Sequence, residues 1–299
     1  MARLAAAPIT PDRRRAGRCM TGAGSLRISK FAFTIPSASF CIQDMPNFIR
    51  EPSSGFCRDD ELGYESNRTQ FFPRRGLMLD DAYRLAHLPL IAPGHPSVIP
   101  TRAGSTYNMG RHDCRYSLVM PIPASALLSS SAYQELEREL KAACFAPKIA
   151  WSLLPQRQGK LHATICGSLS RGEESFLNER QRRRLTQIGP VQIELRGLFS
   201  GNVNVGRLYL RVYPERRNGA NVCKDIQRAV DRPETSLYLV GVFNFTDDLD
   251  VVEASALNAL LQRWWDRPLV NFTADHLCVL GAMDDLVLDS AVVETIPLI

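Results

Sequence analysis

Histidine is scarce, with five residues in a chain of 299. A site that uses imidazole must draw on His87, His95, His112, His162 and His276. No apolar run approaches 18 residues, so a transmembrane helix is not expected. The eight cysteines, at 19, 41, 57, 114, 144, 166, 223 and 278, contain no C-x-x-C and no dense framework. Dispersed thiols of this kind point to a reducing, cytoplasmic compartment, with Cys144 and Cys166 expected as small core residues. Charge of one sign does not dominate either. A net charge of +5 suits an anionic small molecule or an RNA end better than a protein that coats duplexes. The 45 % hydrophobic and 22 % charged content is that of a folded globular body.

The opening MARLAAAPITPDRRRAGRC is arginine-rich and acid-poor. It reads as a targeting peptide, as a basic tail without fixed structure, or as the product of a start placed too far upstream. Residues 1–110 lack sustained periodicity and carry scattered Pro, Gly and Ser. They are expected to form an irregular, partly disordered N-terminal extension, with one short helix near Leu79–Ala86. Its histidines, with neighbouring His112, are expected at the surface.

From residue 111 to 299 the pattern is that of a domain. YSLVMPIP (116–123) reads as a strand, and Ser131 with Gln134 as a capping box opening a helix. Leu136, Leu140, Ala143 and Cys144 give that helix one apolar face. LHATICGSL (161–169) is the next strand. Glu173–Leu185 reads as an exposed helix with ERQRRR on it, and Val222–Val230 as a short helix. VQIELRGLFSG and GRLYLRVYP alternate as paired strands. Then the first pattern returns. SLYLVGVFNF is a strand, Asp250 and Glu253 form a second capping box, and LVNFTADHLCVL (269–280) is a strand carrying His276. DDLVL (284–288) is expected to pair back. Strands at 116 and 236, caps at 131 and 250, and histidines at 162 and 276 are offset by 120, 119 and 114 residues. Such offsets suggest an internal repeat.

Residues i and i+2 of a strand share a face, so His162 pairs with Thr164 and His276 with Cys278. Two imidazoles facing one phosphate form an acid–base pair. One removes a proton from the attacking water or hydroxyl, and the other protonates the leaving oxygen. With an ordinary pKa of about 6.5, imidazole offers both forms near neutrality, and each transfer is worth about 10² to 10⁴ in rate. A threonine hydroxyl can donate to a non-bridging oxygen.

RYSLVMPIP, KLHATICGSL and FTADHLCVLGAMDDLVL together resemble the two-histidine (2H) phosphoesterase superfamily. That superfamily includes the bacterial 2′-5′ RNA ligase-like proteins and the cyclic nucleotide phosphodiesterases. Its signature is two H-x-[ST] tripeptides, each on a strand. The resemblance covers roughly residues 114–299. It implies an α+β fold that is bilobal, with two antiparallel sheets facing a central cleft, helices outside and an internal pseudo-two-fold repeat. It further implies metal-independent, cofactor-free hydrolysis or transesterification at a 2′,3′-cyclic phosphate or a 2′-5′ linkage. The partner is then an RNA terminus or small nucleotide, with no membrane, and the protein a monomer. By position His162 and His276 are the catalytic pair, while Thr164, Cys278 and Lys160 are substrate-binding. Cys278 departs from the pattern, because a thiol donates hydrogen bonds weakly. The alternative is therefore a non-catalytic RNA-end or nucleotide-binding module on the same fold.

Other readings of these residues are blander. His276 and Cys278 are two of the three or four ligands zinc needs. Arg157 and Lys160 read as a solvated basic loop or as phosphate contacts. Asp284 and Asp285 read as a turn, and Trp264 as core.

Overall fold

The structure is a computed structural model that describes residues 55–171 and 177–299. The basic opening segment and the first part of the helix expected over Glu173–Leu185 lie outside the described residues. One compact unit spans Arg50–Ile299.

Short helices α1 (Tyr64–Asn67), α2 (Asp81–Ala86) and α3 (Leu88–Ile91) precede β1 (Arg111–Pro121). Next come α4 (Ala124–Ser129), α5 (Ser131–Ala142), α6 (Leu154–Arg157), β2 (His162–Arg171) and α7 (Glu179–Thr186). Strands β3 (Val191–Ser200) and β4 (Arg207–Pro214) follow, then the two-residue strands β5 (Arg216–Arg217) and β6 (Ala220–Asn221), and α8 (Val222–Ala229). The chain closes with β7 (Leu239–Asn244), α9 (Val251–Trp264), β8 (Pro268–Ala274), β9 (His276–Asp284) and β10 (Ser290–Pro297). The fold is α+β, with two four-stranded antiparallel sheets ordered β10-β9-β1-β2 and β7-β4-β3-β8.

Local chemistry explains the helix starts. Asp250 accepts from Val252 N and Glu253 N, and Glu253 returns a bond to Asp250 N, so the second capping box is complete. The first cap sits one residue earlier than expected. Ser130 accepts from Tyr133 N, Ser131 is the first helical residue, and Gln134 donates to Leu128 O instead. The helix buries Tyr133, Leu136 and Leu140 and ends at Ala142. Cys144 therefore falls beyond its last turn and is exposed, whereas Cys166 is buried as expected.

The strand expected over residues 269–280 is two strands. β8 ends at Ala274 beside β3, and β9 begins at His276 beside β1. Between them Asp275 carries the chain from one sheet to the other. Strand, helix and strand do recur as β1–α5–β2 and β7–α9–β8. The histidines nevertheless occupy different places in the two copies, and both end up in the first sheet. DDLVL does not form a strand. It is the connection from β9 to β10, and pairing resumes at Ser290.

Residues 55–110 pack on the body, the alternative open to such an extension. Tyr64, Tyr83 and Leu88 are fully buried in the same hydrophobic cluster as the sheets. Val212 N donates to the Tyr64 hydroxyl at 2.9 Å, and the Tyr83 hydroxyl donates to Phe245 O at 2.7 Å. Asp59 pairs at 3.3 Å with Arg211, whose guanidinium is fully buried over the Trp265 ring. The expected boundary near residue 110 therefore does not divide two compact units. The segment looked irregular because its helices are one to two turns long, too short to show a period. Leu88→Ala should lower unfolding free energy by about 2–5 kcal/mol in urea titration, as for a core leucine. An unchanged transition would mean that the segment is dispensable.

Candidate functional site

The placement of the two histidines follows from register. Pro121 of β1 lies opposite His162 of β2, and Val119 lies opposite both Thr164 and Cys278. Carrying the β1–β9 register two residues further puts Pro121 opposite His276 as well. His162 and His276 thus flank one strand in one row and on one face. Their Cα atoms are two strand spacings apart, roughly 9.5 Å. The next row along the same face is Thr164, Val119, Cys278 and Thr295.

The two rings sit in different surroundings. The Nδ1 of His162 donates to Lys160 O at 2.8 Å, which leaves Nε2 as the lone-pair nitrogen. Burial pulls its pKa down to about 4, and Arg207 and Arg157 push the same way. His162 is therefore neutral near pH 7. The side chain of His276 is 42 % exposed, and its Nδ1 pairs with the Asp275 carboxylate at 2.6 Å. That bond holds the Asp275 carboxyl below its usual range.

A cavity of about 260 Å³ opens against β1 and β2 and is lined by both His162 and Thr164. A second, of about 230 Å³, shares His162, Thr164, Arg207 and Asp285 and runs towards Tyr209 and Gly241 on the other sheet. His276, Cys278 and Lys160 line neither. A larger cavity of about 650 Å³ lies between residues 65–72 and the end of α9, and it contains no histidine.

The separation has a visible cause. The β9–β10 connection folds back over the sheet, and Val287 packs on Val119, Cys278 and Leu280. Asp284, 1 % exposed, accepts from Leu286 N, Leu288 N and Asp289 N and gives the loop its shape. Four successive loop carbonyls are then held by cationic side chains. Arg207 donates to Asp285 O at 3.0 Å and Arg157 to Leu286 O at 2.9 Å. Lys160 donates to Val287 O at 3.0 Å and Leu288 O at 2.8 Å. Val287 has φ of +56°, a costly conformation for a β-branched residue, which these contacts sustain.

Several expectations change accordingly. The Lys160 ammonium is tied to two carbonyls, where a free phosphate contact was expected. Arg157 is not a solvated loop residue, although it lines the second cavity. It is 2 % exposed and also donates to Val242 O and Gly241 O. Its burial lowers its pKa to about 9. Cys278 is buried, its thiol pKa is raised by burial, and its Sγ lies 3.9 Å from the Thr295 hydroxyl. A raised thiol pKa disfavours a thiolate nucleophile.

His87 and His112 are not at the surface. They are 0 % and 6 % exposed and line the first cavity with His162. His112 faces Asp113 O through Nδ1 at 2.7 Å and the Asp285 carboxylate through Nε2 at 3.2 Å. Burial alone would raise the Asp285 carboxyl. The hydrogen bonds from His112 and Tyr107, with His87 nearby, hold it well below the carboxylate range instead. His87 has no hydrogen-bond partner at either nitrogen, and burial lowers its pKa to about 3. Each buried orphan of this kind costs about 1–3 kcal/mol. His95 pairs with Asp247 at 3.1 Å. Asp284 shapes a turn, as expected, but Asp285 faces the cavity. Local pattern could have shown that HDCRY extends β1. Nothing local marks Arg207, which meets the cavity through the register of the other sheet. Its guanidinium lies against Gly241, where any Cβ would come within 2.2 Å of Nε.

Among the described residues, no group of three His, Cys, Asp or Glu side chains is arranged to hold a metal ion. No helix among them is long and apolar enough to cross a membrane.

No family model matches the chain, and no curated protein matches it. Among solved structures it is similar to TT0787 of Thermus thermophilus, at 11 % identity and a TM-score of 0.35. That match covers 62 % of this chain and 97 % of the other. A likeness of this degree carries no argument about function.

His162 and His87 fix a pH dependence. Both have folded pKa values below the unfolded value of about 6.5, so the unfolded chain binds more protons between the two values. Stability is full above about 6.5 and falls as pH drops towards 4 and then 3. Urea midpoints measured across this range should decline with acid, and His162→Gln should flatten the part between about 6.5 and 4.

Proposed function

We propose that the chain is a phosphodiesterase of the two-histidine type, acting on a 2′,3′-cyclic phosphate or 2′-5′-linked RNA end or a small nucleotide. The observation that carries this reading is the shared row. Two histidines flank β1 on one face, about two strand spacings apart. That separation lets two imidazoles approach opposite sides of one phosphate.

In this reading the neutral His162, with Nε2 free, is the general base. It takes the proton of the attacking water or hydroxyl. His276, held through Nδ1 by Asp275, protonates the leaving oxygen. Thr164 donates to a non-bridging oxygen. Thr295, beside Cys278 in the same row, supplies the hydroxyl that Cys278 lacks. Neither step calls on a metal or cofactor. In this reading turnover requires the Val287 loop to move off Val119 and Cys278, in the row next to the histidines. It is held by hydrogen bonds to carbonyls, which a phosphate bearing formal charge can replace.

A second reading has its own support. The loop covers Cys278 and Val119, and His276 and Cys278 line neither cavity that holds His162. A chain that keeps it there is a nucleotide-binding module without turnover.

Hydrolysis of nucleoside 2′,3′-cyclic phosphates and a 2′-5′ dinucleotide in excess EDTA tests both. On the first reading, His162→Ala and His276→Ala each lower kcat by about 10² to 10⁴. Binding without turnover in the unsubstituted protein favours the second. Turnover unaffected by either substitution would exclude the pair as the catalysts.

A further inference from the structure

The cavity that contains His162 and Thr164 does not end at them. Its inner end is closed by His87 and His112, brought by residues that lie outside the two-histidine pattern. Polar groups there are unspent. Both nitrogens of His87 are buried without a hydrogen-bond partner, and so is Nε of Arg207. The Asn204 amide lies alongside on the β3–β4 connection, close to His87 but without a hydrogen bond of good geometry.

The free capacity at this end is one N–H and one lone pair of neutral His87, the Nε–H of Arg207 and the Asn204 amide, so donors outnumber lone-pair nitrogens. The Asp285 carboxylate is already taken by His112 and Tyr107, with Arg115 at 3.8 Å. Asp284 is taken by three backbone N–H groups. Arg207 bonds to a carbonyl and to no carboxylate, so its charge is uncompensated there. Buried donors left unbonded are a standing cost to the fold, and an anion bearing several acceptor oxygens removes it. No surface of His87 is exposed, so the lining offers no exit past that ring and suits a terminal group there.

We propose that His87, Asn204 and Arg207 form a second anion subsite. It takes a terminal phosphate monoester of a substrate whose phosphodiester lies at His162 and Thr164. The assignment of that second group rests on the phosphodiesterase reading; the anion subsite itself does not. It narrows the substrate to a nucleotide carrying two phosphate groups, and it gives the N-terminal segment a role in recognition.

Calorimetric titration with inorganic phosphate tests the subsite independently of turnover. Asn204→Gly, which keeps the left-handed backbone of that position (φ +57°), and His87→Gln should each weaken binding about tenfold or more. His162→Ala should retain it within about threefold, because that ring is not part of the subsite. No phosphate binding, or binding lost in His162→Ala and kept in Asn204→Gly, overturns the proposal. Asn204→Gly decides the matter if His87→Gln fails to fold. A second arm compares KM for uridine 2′,3′-cyclic phosphate with and without a 5′-phosphate. The doubly phosphorylated compound should have a KM lower by about tenfold, and that ratio should collapse towards one in Asn204→Gly. Equal KM values in the unsubstituted protein overturn the link to substrate. If neither compound is hydrolysed, the phosphodiesterase reading fails, and the phosphate titration alone decides the subsite.

Discussion

A single buried cation ties the parts of this site together. Arg157 has no carboxylate partner and spends its donors on three carbonyls, two on β7 and one on the β9–β10 loop. Removing a guanidinium from water costs several kcal/mol. Hydrogen bonds from a charged donor return about 1.5–3 kcal/mol each. Three of them keep the residue in place, and in doing so they fasten one sheet's edge strand to the other sheet's loop. Two residues further along come the Gly159 turn and then Lys160, whose ammonium holds the next two loop carbonyls and whose own carbonyl orients His162.

The electrostatics of the candidate site follow from that arrangement. Arg157 and Arg207 are close enough to help keep His162 neutral, and burial does most of that work. Asp284 and Asp285 both line the cavity; three backbone N–H groups take the first, and hydrogen bonds from His112 and Tyr107 hold the second ionised. The result is a pocket lined by several donors and by the neutral imidazole of His162. Such a pocket suits phosphate chemistry better than it suits a cationic or apolar ligand. The loop's hold on the cations is strong in number but weak in kind, because a carbonyl oxygen carries only partial charge. An anionic ligand therefore competes on favourable terms.

Much of the scaffold was legible in the residues themselves. YSLVMPIP, the Asp250–Glu253 box and the paired strands at 191–214 are local signals, and local hydrogen bonding makes them what they are. The break at Asp275 was not legible. A strand that leaves one sheet and joins another keeps its apolar alternation, so the pattern runs on while the partner changes. His87 and His112 were misjudged for a similar reason. Their burial comes from packing against sheets distant in sequence, and nothing local in LAHLPL or HDCRY names those partners.

By itself the sequence determined most element types, the Asp250 cap, and the pairing of His162 with Thr164 and of His276 with Cys278 on common faces. These depend on backbone periodicity and on side chains within a few residues. Tertiary structure alone decided that both histidines join one sheet on either side of β1. It also decided that a loop packs on the neighbouring row at Val119 and Cys278, and that Arg157, Arg207, His87 and Asp285 converge on the paired cavities. Those outcomes depend on strand register and on charge burial between segments as far apart as His112 and Asp285, 173 residues, and no local pattern encodes such distances.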